Sequence, residues 1–302
     1  MIPAWTPALH AGDGISIRRI ELFIRTRFHF KWLLWIALAL LIGGCQPDPT
    51  PRNLLEKAHD RWIDGHSHSA VELFRAVLEV SPQGPFAEEA LFRLGEIHYF
   101  DLDEHEKALN YFHDVAKRNP KGPLAYESRK YIAEIVELNI KDLDQAIIEY
   151  QNLINHNERP EENPEHQFRI ASIFFKKHNY DQALMELEIL LENYPRSEWA
   201  ERAYFRMMEI LFSLKKCDEA RTRYAQFQNT FPHSDFEGDM EFIMASCLEE
   251  EGELDLAHER FKALEGSYRY PALIKMKLEG LEQRIKKGGR SKRKIHRSRR
   301  KN

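Results

Sequence analysis

The chain has 302 residues, 43% hydrophobic and 30% charged, with a formal net charge of −4 and a mean hydropathy of −0.57. That apolar content excludes general disorder, the hydropathy excludes a protein of many membrane spans, and three cysteines exclude a disulfide-stapled miniprotein. The charge is uneven: from Arg284 onward there are 11 Lys and Arg and no acid, whereas residues 45–283 carry 28 basic residues against 46 acids.

The first element is an apolar run, WLLWIALALLI over 32–42, preceded by Arg25, Arg27 and Lys31. A helix needs about 20 residues to cross a bilayer, so this run is too short to span and suits the apolar region of a secretory signal. It ends in Ile42-Gly43-Gly44-Cys45, which resembles the lipobox of bacterial lipoproteins. The resemblance implies removal of a leader, 1–44, and lipid attachment to the Cys45 thiol, lasting when two or more acyl chains are present. Gln46 after the cysteine is compatible, in lipoproteins, with export to the outer membrane of a cell that has two membranes. About 30 residues precede the apolar run, which is long for a signal. Residues 45–52 follow as a tether that its prolines keep from being helical.

From there a pattern recurs. Ala-x-x-x-aromatic appears at Ala70/Phe74, Ala108/Phe112, Ala146/Tyr150, Ala220/Tyr224 and Ala257/Phe261, and Ala183 opens a related segment with Leu187 in the aromatic place. The alanines are 38, 38, 37, 37 and 37 residues apart. A proline follows each (Pro82, Pro120, Pro160, Pro195, Pro232, Pro271), and Ala58, Gly95, Ala133, Ala171, Met208 and Ala245 precede them. Small residues let two helices approach closely, the aromatic fills the gap beside them, and proline ends the second helix. Apolar residues recur at helical spacing, and no segment alternates with period two long enough for a sheet. The units resemble tetratricopeptide repeats with a lengthened first helix. The implied fold is all-α: a right-handed α-solenoid of about six tetratricopeptide-like helix pairs over 53–283.

No Gly-rich phosphate loop, GxSxG, HExxH or CxxC occurs, so no cofactor is expected and nothing points to an enzyme. His66 and His68 share the first inter-helix turn with no third ligand nearby in sequence, so no metal is expected. Cys217 and Cys247 fall in consecutive units; spacing alone does not supply disulfide geometry, and the two are expected to stay unpaired.

Phe92, Phe168, Phe205 and Phe242 take equivalent positions of the first helix, and Trp62, Tyr99, Phe175 and Phe212 form a second row. Two readings stay open: a groove for an apolar peptide or partner helix with Glu96, Glu134 and Glu209 at its rim, or packing between repeats, favoured for most of them. The tail, 284–302, is expected to be disordered, and its cations to contact an anionic surface: lipid head groups, polyanionic glycans or RNA.

Cys45, the short tether, LLEKAHDRWIDG…AVELF over 54–74 and the Pro-Ser linkers resemble the BamD family of outer-membrane assembly lipoproteins. That resemblance implies a lipid-anchored scaffold on the periplasmic face of the outer membrane. Its partners would be other envelope proteins or unfolded segments, with no specific nucleic acid. The alternatives are an envelope repeat protein coordinating cell-wall synthesis and division, and a pilus- or secretin-assembly lipoprotein.

Overall fold

The computed structural model describes residues 50–299, with side chains through Lys287. The expected leader, Cys45 and most of the tether lie outside the described residues. Within them the chain forms thirteen helices and no strand, arranged as six helix pairs and a closing helix. The pairs are α1 (Pro51–Ile63) and α2 (Ser67–Val80), α3 (Pro85–Phe100) and α4 (His105–Arg118), α5 (Ala125–Ile135) and α6 (Leu143–His156). Then follow α7 (Asn163–Lys176) and α8 (Tyr180–Asn193), α9 (Glu198–Ser213) and α10 (Cys217–Thr230), α11 (Glu237–Glu251) and α12 (Leu254–Ala263). Helix α13 (Pro271–Arg299) closes the stack. Among the described residues no helix is long and apolar enough to cross a membrane.

The repeat pattern is the core. All six marked alanines are fully buried, as are Phe74, Phe112, Leu187 and Phe261 from the aromatic places. Gly95 shows why the paired position must be small. The Phe112 ring lies where its Cβ would stand, 2.6 Å away. Each unit leaves an apolar face that only its neighbours cover, so burial runs as a chain of clusters along the stack.

Turns repeat with the same period. Each first helix reaches its second through one residue in the left-handed region: Gly65, Asp103, Lys141, His178, Lys215 and Gly252. Only Gly65 and Gly252 adopt it without steric cost; the side chains at the other four places oppose it. Prolines stand just past the ends of α2, α4, α8 and α10, while Pro271 opens α13 instead of ending α12. The lengthening of the repeat lies in the first helices and in linkers such as 119–124, 157–162 and 264–270. In the third unit α5 widens into a π-helical turn, Val136–Ile140.

Three expectations are corrected. Helix α1 begins at Pro51, capped by the Thr50 hydroxyl accepting from the Asn53 amide at 3.3 Å, so the array starts before residue 53. Cys217 and Cys247 form a disulfide, with Cα atoms 5.7 Å apart. Packing of α10 on α11 places the two residues face to face, a geometry that sequence spacing does not encode. The segment after Arg284, expected to be disordered, continues α13 as far as Arg299. Burial of Ile274, Leu278 and Leu281 seeds that helix, and its register carries on past the core.

Candidate partner-binding face

The first helices share one side of the stack: α1 packs on α3, α7 on α9 and α9 on α11, while α3 meets α5 through Phe92, Tyr99 and Phe100 against Tyr131, and α5 meets α7 through Tyr126 against His166. The repeat register lines up the sequence-predicted residues on that side, but few are free for a partner. Phe92 is buried, edge-on to Phe112 at 5.7 Å and 6.0 Å from Tyr131. Phe168 meets Trp199 at 5.2 Å, Phe205 stacks on Phe236 at 5.4 Å, and Phe242 stacks on Tyr268 at 5.3 Å. Each of these aromatics meets another from the following unit or linker, so this row seals the seams between units and leaves one flank half exposed.

The second row is more varied. The Trp62 indole N–H donates to Asp101 at 2.8 Å, and the Ser67 hydroxyl donates to the same carboxylate at 2.6 Å, tying the first unit to the second. Tyr99 lies 4.6 Å from Phe100 and 6.1 Å from Tyr131, forming an aromatic group with them. Phe175 carries the Arg206 guanidinium 4.7 Å above its ring. Phe212 is half-buried against the cluster of Met208, Tyr224 and Phe227.

The expected rim acids divide. The Glu96 carboxylate is buried and takes the Arg93 guanidinium at 2.6 Å, so it is no rim group. Glu134 and Glu209 are half-buried, and loss of solvent raises both carboxyls above the usual range. Glu137, in the π-helical turn, is more deeply enclosed: Lys176 reaches it at 2.6 Å and the Tyr150 hydroxyl donates to it at 2.9 Å. Burial with that carboxylate nearby raises the Tyr150 phenol, which stays protonated. His166 is buried beside Tyr126 at 2.9 Å, and desolvation lowers it to about 4, so it is neutral near pH 7.

Sequence reading missed an exposed apolar row. Ile63 is 83% exposed, Phe100 59% and Leu138 47%. All three sit five residues after the small residue of their unit: Ile63 and Phe100 are the last residues of α1 and α3, and Leu138 lies in the π-helical turn that follows α5. The same place holds Lys176, Ser213 and Glu250 in the last three units, so the apolar row belongs to the first half of the array. Neighbouring helices pack about 8–10 Å apart, which makes the row roughly 20 Å long. Phe100 also meets Tyr131 edge-on at 5.7 Å, which joins the row to the aromatic group, and Ile140 adds exposed apolar surface from the π-helical turn. A signal was present in the sequence: 63, 100 and 138 keep the repeat interval.

The histidines offer less. His66 precedes α2, and His68 sits in its first turn. Among the described residues no group of three or more His, Cys, Asp or Glu is placed to hold a metal ion. A cleft of about 560 Å³ near the last unit is walled by Asp235, Glu237, Asp239 and Glu241, and Arg269 ion-pairs with Asp239 across it.

Three segments, 89–122, 167–197 and 202–234, match the tetratricopeptide repeat family. No curated protein sequence matches the chain. Among solved structures it is similar to the apo form of RapI, at 11% identity over 84% of this chain and 81% of that one, with a TM-score of 0.52. A signal-transduction ATPase with a tetratricopeptide repeat sensor from Pyrococcus horikoshii is 16% identical over 77% of this chain and 38% of its own, with a TM-score of 0.51. PilW, a type IV pilus biogenesis factor, is 13% identical over 78% of this chain and 99% of its own, with a TM-score of 0.46. The chain therefore carries tetratricopeptide repeats, and its fold is the all-helical solenoid of a protein-interaction scaffold.

Proposed function

We propose that this chain is a non-catalytic scaffold, held by lipid at Cys45 on the periplasmic face of the outer membrane, that docks protein partners on the first-helix face of its N-terminal units. The observation that carries the docking reading is the row of Ile63, Phe100 and Leu138, exposed at one repeat position in three consecutive units. Soluble proteins rarely leave large apolar side chains aligned in a patch unless something covers them. An apolar helix or extended segment laid across the units would meet the row at regular intervals. The envelope reading draws support from the lipobox-like Ile42-Gly43-Gly44-Cys45 and from the Cys217–Cys247 disulfide, since such bonds persist in oxidising compartments. Outer-membrane protein assembly is the leading process, supported by the resemblance over 54–74.

The test compares native protein with a Cys45→Ala variant by intact mass and membrane fractionation. The proposal expects a chain that begins at an acylated Cys45 and a variant that is soluble or uncleaved. A native chain that retains residues 1–44 and carries no lipid would overturn the anchor. Co-purification then separates the processes: barrel-assembly components support the proposal, whereas wall synthases or secretin subunits assign the scaffold elsewhere.

A further inference from the structure

Helix α13 divides into two parts. In its first part Ile274, Leu278 and Leu281 are buried, while Lys277 and Arg284 each donate to Glu249 of α11 at 2.7 Å. Glu282, which accepts from Lys286 at 3.1 Å, is the last acid in the sequence. The helix then runs on to Arg299, about 25 Å further at the α-helical rise. Over that stretch the register brings Lys286, Lys287, Arg290, Arg293, Lys294 and Arg297 to one side of the helix. By the same register Lys292 and Arg299 fall on the opposite side with Gly288 and Ile295, so the arm is cationic all round and most densely so on the first side.

Left in water, such a stretch is a poor helix. Lys286 and Arg290, Arg290 and Lys294, and Arg293 and Arg297 are like charges four residues apart, and Gly288-Gly289 weakens the helix further. A surface of closely spaced phosphates removes the repulsion and favours the helical form. We propose that this arm lies on an anionic phospholipid surface, as a second membrane contact besides Cys45. Each Lys or Arg brought to such a surface strengthens attachment by roughly fivefold. Two isoleucines are too few to bury an apolar face, so the arm rests among head groups. Nucleic acid offers the same phosphates, but no aromatic interleaves the arm for base stacking. The choice of lipid otherwise rests on the envelope reading above, to which the buried disulfide contributes.

The experiment measures partition of the full chain onto vesicles of phosphatidylcholine alone, and onto vesicles with about three parts in ten phosphatidylglycerol. An acyl anchor binds both vesicle types alike, and a retained leader, whose Arg25, Arg27 and Lys31 also favour anionic lipid, is common to the parent and the substituted chain, so the fall in the ratio of the two partition coefficients on substitution reports the arm even if the anchor proposal fails. The expected ratio is about a hundredfold, collapsing between roughly 0.1 and 0.5 M salt. It should fall at least about tenfold when Lys287→Gln, Arg290→Gln, Arg293→Gln, Lys294→Gln and Arg297→Gln are combined, with the unfolding midpoint unchanged because these residues lie past the core. Equal partition onto both vesicle types overturns the proposal, as does a ratio that survives the five substitutions. Tighter binding to duplex DNA than to anionic vesicles at equal phosphate also overturns it and reassigns the arm to nucleic acid.

Discussion

Replacing Gly95 by alanine sets two effects against each other. Alanine is the better helix former, by about 1 kcal/mol in a helix interior, and Gly95 lies well inside α3. The added Cβ, however, would stand 2.6 Å from Cε1 of Phe112 and 2.9 Å from two further ring atoms. Carbon atoms pack best at about 3.5–4.0 Å, so the ring must retreat by roughly 1 Å. It has little room: Phe112 is fully buried, edge-on to Phe92 at 5.7 Å and stacked on Tyr131 at 4.9 Å. Overpacking of that kind costs about 1–3 kcal/mol, which outweighs the propensity gain and leaves Gly95→Ala less stable by about 1 kcal/mol. Urea unfolding of the full chain, read as a midpoint shift at constant m-value, measures it. The companion Gly95→Ala/Phe112→Leu variant should lose about 1 kcal/mol less than the two single losses summed, because the smaller side chain vacates the space. A Gly95→Ala protein about 1 kcal/mol more stable than the parent would refute the reasoning, since helix propensity alone would then govern the site.

The disulfide closes a loop with a sequence separation of 30, so reduction, or Cys217→Ser with Cys247→Ser, should lower stability by about 3–4 kcal/mol on the loop-entropy estimate; an unchanged urea midpoint under reductant would contradict the bond. Burial lowers His166 to about 4, below its unfolded value, so its neutral form favours the fold above pH 6.5 and that stability is lost as pH falls toward 4. Between pH 7 and about pH 4.5 the parent should lose roughly 2 kcal/mol more than a His166→Gln variant. Glu134 and Glu209, raised by burial, act in the opposite sense, and the comparison cancels them because both proteins contain them; parallel pH profiles would count against the buried imidazole. At the left-handed turn positions, Lys215→Gly should raise stability by about 0.5–1 kcal/mol and Gly252→Ala should lower it by about 1 kcal/mol, both by thermal unfolding.

Much of the fold was legible because a solenoid repeats its constraints. The alanines, their aromatic partners and the small residues of the first helices each announce a close helix contact, and six repetitions make the period plain. Long-range geometry was less legible. Cys217 and Cys247 meet only because α10 packs on α11, and no local pattern carries that relation. The basic segment after Arg284 argues against a helix by every local rule, yet the buried residues of α13 seed one that continues through it. In the candidate site, the rows of aromatics were placed correctly on the first helices, but spacing did not reveal that Phe168, Phe205 and Phe242 are taken up at seams between units. Ile63, Phe100 and Leu138 escaped notice because an apolar residue near the end of an amphipathic helix reads as more core. Only the turn that follows shows that each faces solvent.

The central claim is that partners dock on the apolar row of the first three units. A photo-crosslinking residue placed at Phe100, and separately at the exposed Glu192 of α8, tests it in the intact source cell. The account predicts discrete protein adducts from position 100, lost when Ile63→Ser and Leu138→Ser are added, and none from position 192. Adducts of equal yield from both positions, or adducts at position 100 indifferent to the two serine substitutions, would contradict it.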